Sequence, residues 1–225
     1  MMRITNDNDR LSTDLPMFLK NLQPFQVDPE RVSQQEIDNL VNKISINSKV
    51  SEIQRVFDLN ISLCAYLLKH AYIDYHKIYF LSTSLILSEN NRPDYICGCY
   101  DPNKGVSWYA IIFAGPQEQT WDEDLHLTTV AKLSFDRLNY CTSNLERILL
   151  SNKLVDKVNP DRVHGLLIIG QDQEFFQNPK KQDRKREINQ KSSVKLRTYG
   201  AFLRKFDRQK NQSWLISKLG NLLNR

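Results

Sequence analysis

The sequence predicts an α/β fold in which a mixed central β-sheet is flanked by helices. Three observations carry this expectation. Residues 76–114 spell a strand–turn–strand meander, with β-branched and aromatic runs separated by Asn- and Gly-bearing turns. A long helical stretch follows the meander. Beyond it, Val163-His-Gly-Leu-Leu-Ile-Ile-Gly170 reads as a buried strand bounded by glycines. A meander makes antiparallel neighbours, and a strand reached across a helix can lie parallel, so both senses are expected in one sheet.

The elements are justified in chain order. Residues 1–31 read as a loose or partly helical leader interrupted by Pro16, Pro24 and Pro29. Ser33-Gln-Gln-Glu36 has the spelling of a capping box and opens a short helix to about Ile44, with Ile37, Leu40, Val41 and Ile44 on one face. A longer helix is expected over residues 50–70, its stripe formed by Ile53, Val56, Phe57, Leu59, Leu63, Leu67 and Leu68. Residues 76–87 and 93–100 are the first two strands of the meander, and Asp101-Pro-Asn-Lys-Gly105 is a strong turn. The third strand, residues 106–114, is a continuous apolar run of the kind buried on both faces. A helical stretch is expected over residues 122–157, broken near Cys141. A basic helix (residues 180–190), a short strand (194–197) and two helices (around 199–206 and 213–223) close the chain.

Composition narrows the function classes. In 225 residues, 40% are hydrophobic and 25% charged, which is ordinary for a globular domain with one substantial core. No apolar run approaches the ~20 residues of a membrane span. The polar opening MMRITNDNDRLSTD is unlike a secretory signal, and Cys64, Cys97, Cys99 and Cys141 form no CxxC pair, so a reducing cytoplasm is expected. No pair among His70, His76, His126 and His164 has helical metal-ligand spacing, and no P-loop, Gly-x-Gly-x-x-Gly or Gly-x-Ser-x-Gly occurs. Charge is uneven. Between Lys180 and Lys210 there are twelve Lys/Arg against three acids, a local +9, so the rest of the chain carries −4 of the net +5. Two readings stand side by side, a solvated helix face and a phosphate-contacting surface formed by Lys180, Lys181, Arg184, Lys185, Arg186, Lys191, Lys195 and Arg197. Phe175, Phe176 and Tyr199 are nearby aromatics, for the core or for stacking on bases. Asp122, Glu123 and Asp124 follow the third strand and read either as a displaced metal site or, the stronger expectation, as favourable charges at the next helix start.

Several stretches, taken in order, resemble the PD-(D/E)XK nuclease superfamily and within it the Shedu-type defence nuclease domain. They are Glu52-Ile-Gln-Arg-Val-Phe57, Arg92-Pro-Asp94, Asp136-Arg-Leu-Asn-Tyr140, Gly165 to Gly170, and Arg197-Thr-Tyr-Gly-Ala-Phe-Leu203. The resemblance implies a restriction-endonuclease-like core, αβββαβ, with extra N- and C-terminal helices. It divides the chain into a leader and short helix (1–45), the nuclease-like domain (46–210) and a C-terminal helix (211–225) packing on it or on a partner. It also implies a prokaryotic defence or mobile-element setting.

The chemistry of such a nuclease needs a carboxylate on each of two strands to hold Mg²⁺, which takes hard oxygen ligands, and a lysine two residues past the second acid. Aligned on Pro116, the acid and lysine places hold Ile112 and Ala114. The leading expectation is therefore a catalytically degenerate protein that binds nucleic acid, DNA in this setting, or joins a larger complex as a homo-oligomer or with a partner protein, with no cofactor. The alternative is an active Mg²⁺-dependent endonuclease with Asp94 as metal ligand, Glu118 or Glu52 as the second acid, and Lys104 as the cation. A third is a protein-interaction module docking through Leu215, Ile216, Leu219, Leu222 and Leu223.

Overall fold

A computed structural model describes residues 25–26, 32–46, 48–81, 92–151, 159–204 and 206. The leader's three prolines, residues 82–87 of the first meander strand, residues 152–157 of the long helix, and the helix expected at 213–223 lie outside the described residues.

The elements are β1 (Phe25–Gln26), α1 (Gln34–Ser45), α2 (Val50–Leu59), α3 (Ile61–Ala71), β2 (Lys77–Leu81), β3 (Tyr95–Asp101), β4 (Gly105–Phe113), α4 (Thr129–Ser151), β5 (Val163–Ile168), α5 (Gln173–Phe176), α6 (Pro179–Lys191) and β6 (Val194–Arg197). A helical stretch over residues 199–204 follows. The strands form one sheet in the order β1-β2-β3-β4-β5-β6. Each of the first four pairs antiparallel with its neighbour, while β4, β5 and β6 run parallel. The protein is thus α/β with a mixed open sheet.

Each boundary has a local cause. Ser33 caps α1 through a complete capping box: its Oγ accepts from the Glu36 amide (3.3 Å) and its own amide donates to Glu36 Oε2 (2.8 Å). The helix expected over residues 50–70 is two helices. Asn60 is extended (φ −147°, ψ 90°), and its Oδ1 accepts from the Ser62 amide (3.0 Å), which starts α3 afresh. Its Nδ2 donates to Glu36 Oε1 (2.6 Å), tying the junction to the first turn of α1. Leu59, placed in the expected apolar stripe, is 79% exposed because the bend turns it outward.

The long helix also differs. It begins at Thr129 and runs through Cys141 unbroken, since Cys141 is buried on its inner face. Residues 121–128 form a closed loop instead: Trp121 bridges Leu127, the Asp122 amide donates to the His126 carbonyl (3.0 Å), and Leu125 is left-handed (φ 65°). Asp122, Glu123 and Asp124 therefore sit in a loop rather than at a helix start, and Thr128 Oγ1 meets the Ala131 amide (3.4 Å) where the helix begins.

The sheet separates two apolar layers. On one face, Ile111 and Phe113 of β4 pack with Leu166 and Ile168 of β5 against α1–α3, Tyr199 and Phe202. On the other, Ala110, Ile112 and Ala114 pack with Leu167, Val194 and Leu196 against Ala131, Phe135, Leu138 and Cys141 of α4. Gly165 permits the close approach of α4: a Cβ there would lie 2.8 Å from Val194 Cγ2 and 3.3 Å from Leu138 Cβ. At the far side of β6, the Asn189 side chain takes both backbone groups of Leu196, Oδ1 accepting from its amide (2.7 Å) and Nδ2 donating to its carbonyl (3.4 Å).

Candidate functional site

Asp94 precedes β3 by one residue, at the end of the sheet where β4 finishes. Its amide donates to the Ile111 carbonyl (2.9 Å), and its Oδ2 accepts from the Phe113 amide (2.7 Å). The carboxylate thus supplies the acceptor for an amide at the last rung of the β3–β4 ladder. The Arg92 carbonyl, in the same stretch, accepts instead from Arg137 Nη2 on α4. Burial pushes the Asp94 carboxyl up from the ordinary range; the Phe113 amide, the Arg137 guanidinium and a hydrogen bond from Gln54 oppose this, while nearby Asp58 adds to it.

The residues expected beside Asp94 are dispersed. Ile112 and Ala114 are 3% and 5% exposed and belong to the layer beneath α4. The Ala114 carbonyl accepts from the buried Tyr199 hydroxyl (2.8 Å), so the strand end is packed and satisfied. Glu52 pairs with Lys43 on α1 (3.4 Å). It lies two residues, hence ~200° of helix, from the Gln54 that does reach Asp94. Lys104 is exposed in the hairpin turn, its amide donating to Asp101 Oδ1 (2.9 Å), at the opposite end of β4 and about 30 Å along the chain from Phe113. Glu118 is half-buried in the loop after Pro116, its amide donating to the Gly115 carbonyl (3.1 Å). Among the described residues no group of three or more His, Cys, Asp or Glu side chains is placed to hold a metal ion.

The loop after β4 is held by a residue the sequence reading passed over. Glu174 of α5 accepts from the Thr120 amide (3.0 Å) and the Trp121 amide (3.0 Å), and pairs with Lys181 (3.4 Å). Lys181 also donates to the Trp121 carbonyl (2.8 Å). Nothing in the spelling Gln-Glu-Phe-Phe separates Glu174 from an exposed acid. Lys181, counted among the phosphate-contacting residues, is 9% exposed and is the buried end of this clamp.

The other basic residues divide sharply. Lys185 is half-buried, its Nζ 4.0 Å above the Phe175 ring, and burial together with neighbouring Arg197 pushes its pKa down to about 8. Lys195 Nζ donates to the Ser192 carbonyl (2.9 Å) and to the Asn189 carbonyl at the end of α6, and Arg197 Nη1 donates to the Leu196 carbonyl (2.9 Å). Lys180, Arg184, Arg186 and Lys191 are exposed. Three of these pair with acids of their own helix: Arg184 with Glu187 (3.1 Å), Arg186 with Asp183 (3.3 Å) and Lys191 with Glu187 (2.9 Å). Spacings of four and seven place Lys180, Arg184 and Lys191 on one stripe of α6. The stripe borders a groove of about 470 Å³ whose other wall is Trp121, Leu125, His126 and Leu127. Of the aromatics considered for stacking, Phe175 and Tyr199 are buried, whereas Phe176 is 69% exposed with the Arg204 guanidinium 5.5 Å from its ring centre. His164 is half-buried beside Tyr109 (5.1 Å), and burial with nearby Lys195 lowers its pKa.

Set against known proteins, the sequence matches no family model and no curated protein.

Proposed function

We propose that this chain is a non-cleaving, Shedu-like relative of the PD-(D/E)XK nucleases that binds nucleic acid, DNA in the setting the resemblance implies. The observation that carries the binding half is the exposed stripe of Lys180, Arg184 and Lys191 on α6. The acids paired with it do not close it. Exposed pairs within one helix are weak and screened by salt, so phosphate oxygens can replace Glu187 as their partner. The strand order, an antiparallel meander continued by parallel strands with helices on both faces, supports an endonuclease-like core. The non-cleaving half is supported by Ile112 and Ala114, packed where the family places an acid and a lysine, and by an Asp94 carboxylate engaged with the Phe113 amide.

The test is binding to duplex DNA as a function of salt. Three phosphate contacts give a slope of about −2.7 in log K against log salt, and the Lys180→Ala/Arg184→Ala/Lys191→Ala variant is expected to lose most of it. Absence of binding at ~20 mM salt, where this electrostatic attraction is strongest, would remove the nucleic-acid half. Plasmid cutting in Mg²⁺ that disappears in Asp94→Asn would instead establish an active nuclease.

A further inference from the structure

The outer face of α4 carries a pattern that the sheet does not explain. Leu133, Asp136, Tyr140, Ser143, Arg147 and Leu150 are all exposed, with Leu133 at 59%, Tyr140 at 40% and Leu150 at 39%. Steps of three and four residues place them on one stripe, the spacing by which a helix presents a seam to another helix. The order of steps, three-four-three-four-three, reads the same in both directions, so the stripe is symmetric about the point between Cys141 and Thr142.

That symmetry has a chemical content. If two copies of α4 pack antiparallel about this point, Leu133 meets Leu150 of the second copy and Tyr140 meets Ser143 of the second copy. Asp136 meets Arg147 of the second copy, an acid against a base, and the twofold repeats each contact. Among the described residues nothing pairs with Asp136, and Arg147 donates an exposed hydrogen bond to Asn144 (2.8 Å) of its own helix, which it can exchange. Beside Leu150 lies a groove of about 550 Å³ lined by Ser143, Glu146, Arg147, Leu150 and Ser151. The antiparallel pairing delivers Leu133 of the second copy to it. We infer that α4 is a self-recognition helix and that the occupant of its exposed face is a second copy of this chain, related by a twofold axis. The inference is independent of nucleic-acid binding.

The stripe spans about 26 Å of helix. One helix pair of this length is a small interface, so dissociation in the range of ~1–100 μM is expected. Sedimentation velocity without nucleic acid, from ~1 to ~300 μM, brackets that range. The wild type is expected to pass from monomer to dimer, and Leu133→Lys/Leu150→Lys to stay monomeric. Asp136→Arg alone and Arg147→Asp alone each set like charges face to face and are expected to weaken association at least ~10-fold. The double variant Asp136→Arg/Arg147→Asp swaps both partners and is expected to restore it to within about threefold of wild type. Circular dichroism checks that each variant keeps its helix content, and the charge swap decides the matter even if the lysine variant does not fold. A wild type that stays monomeric throughout, a dimer indifferent to these substitutions, or a double variant no better than its parents would overturn the proposal.

Discussion

At Asp94, a single side chain distinguishes a carboxylate kept for its charge from one kept for its oxygen. Its Oδ2 accepts from the Phe113 amide in a buried setting that raises the carboxyl's pKa. Asp94→Ala leaves that amide without an acceptor and is expected to cost about 1–3 kcal/mol in denaturant unfolding. Asp94→Asn keeps an oxygen there and removes a desolvated charge, so it is expected within about 1 kcal/mol of wild type. Lys185 offers a second measurable case. Its folded pKa, about 8, lies below the ordinary lysine value of 10.5, so between these values the unfolded chain holds more protons. Stability from this group is therefore lowest below pH ~8 and rises towards pH ~10.5. Lys185→Met is expected to flatten that rise, as stability measured at pH 7 and at pH 10 would reveal. Lys181 behaves differently again, because it is paired inside. Lys181→Ala strands Glu174 and is expected to cost about 3 kcal/mol, whereas Glu174→Gln/Lys181→Met together should recover much of it. Burial of this kind was not legible in the sequence: Lys180 and Lys181 are identical letters, and only the direction of the Trp121 carbonyl tells them apart.

Among the elements, those with explicit punctuation were legible. The capping box at Ser33, the turn at Asp101 to Gly105 and the glycine ahead of β5's apolar run all stand where the residues imply. The misreadings arose where one polar side chain outweighed an apolar period. Asn60 interrupts a stripe that continues on either side of it, because its amide caps one helix and grips Glu36 of another. Asn60→Ala is expected to cost about 1 kcal/mol, and a larger loss would show that the Glu36 contact adds to the cap. Residues 122–128 carry acids and leucines that suit a helix, yet Asp122 and His126 close them into a loop. In the candidate site, the apolar spelling of β4 foretold the packed positions of Ile112 and Ala114, since a side chain on a central strand under a helix has nowhere else to go. The dispersal of Glu52, Lys104 and Glu118 depends on helix azimuth and strand length, which a list of candidate residues does not contain.

For the whole molecule, two layers on one sheet make α4 the lid of its own half of the core, and Gly165 the point where the two surfaces come closest. Gly165→Ala forces Val194 or Leu138 aside and is expected to lower stability by about 1–3 kcal/mol, read from the shift of the unfolding midpoint at constant m-value. Charge is laid out along the chain rather than evenly: the segment from residue 180 onward is strongly positive while the remainder is negative, and among the described residues its exposed basic side chains are Lys180, Arg184, Arg186, Lys191 and Arg204. The Asn189 amide seated on the backbone of Leu196 has an effect beyond local order. A terminal strand with open amides is a template on which foreign strands can add, and here the docking place is already filled by a side chain. Removing that plug, as in Asn189→Ala, is expected to raise self-association through β6, read as faster growth of light scattering than wild type on prolonged incubation.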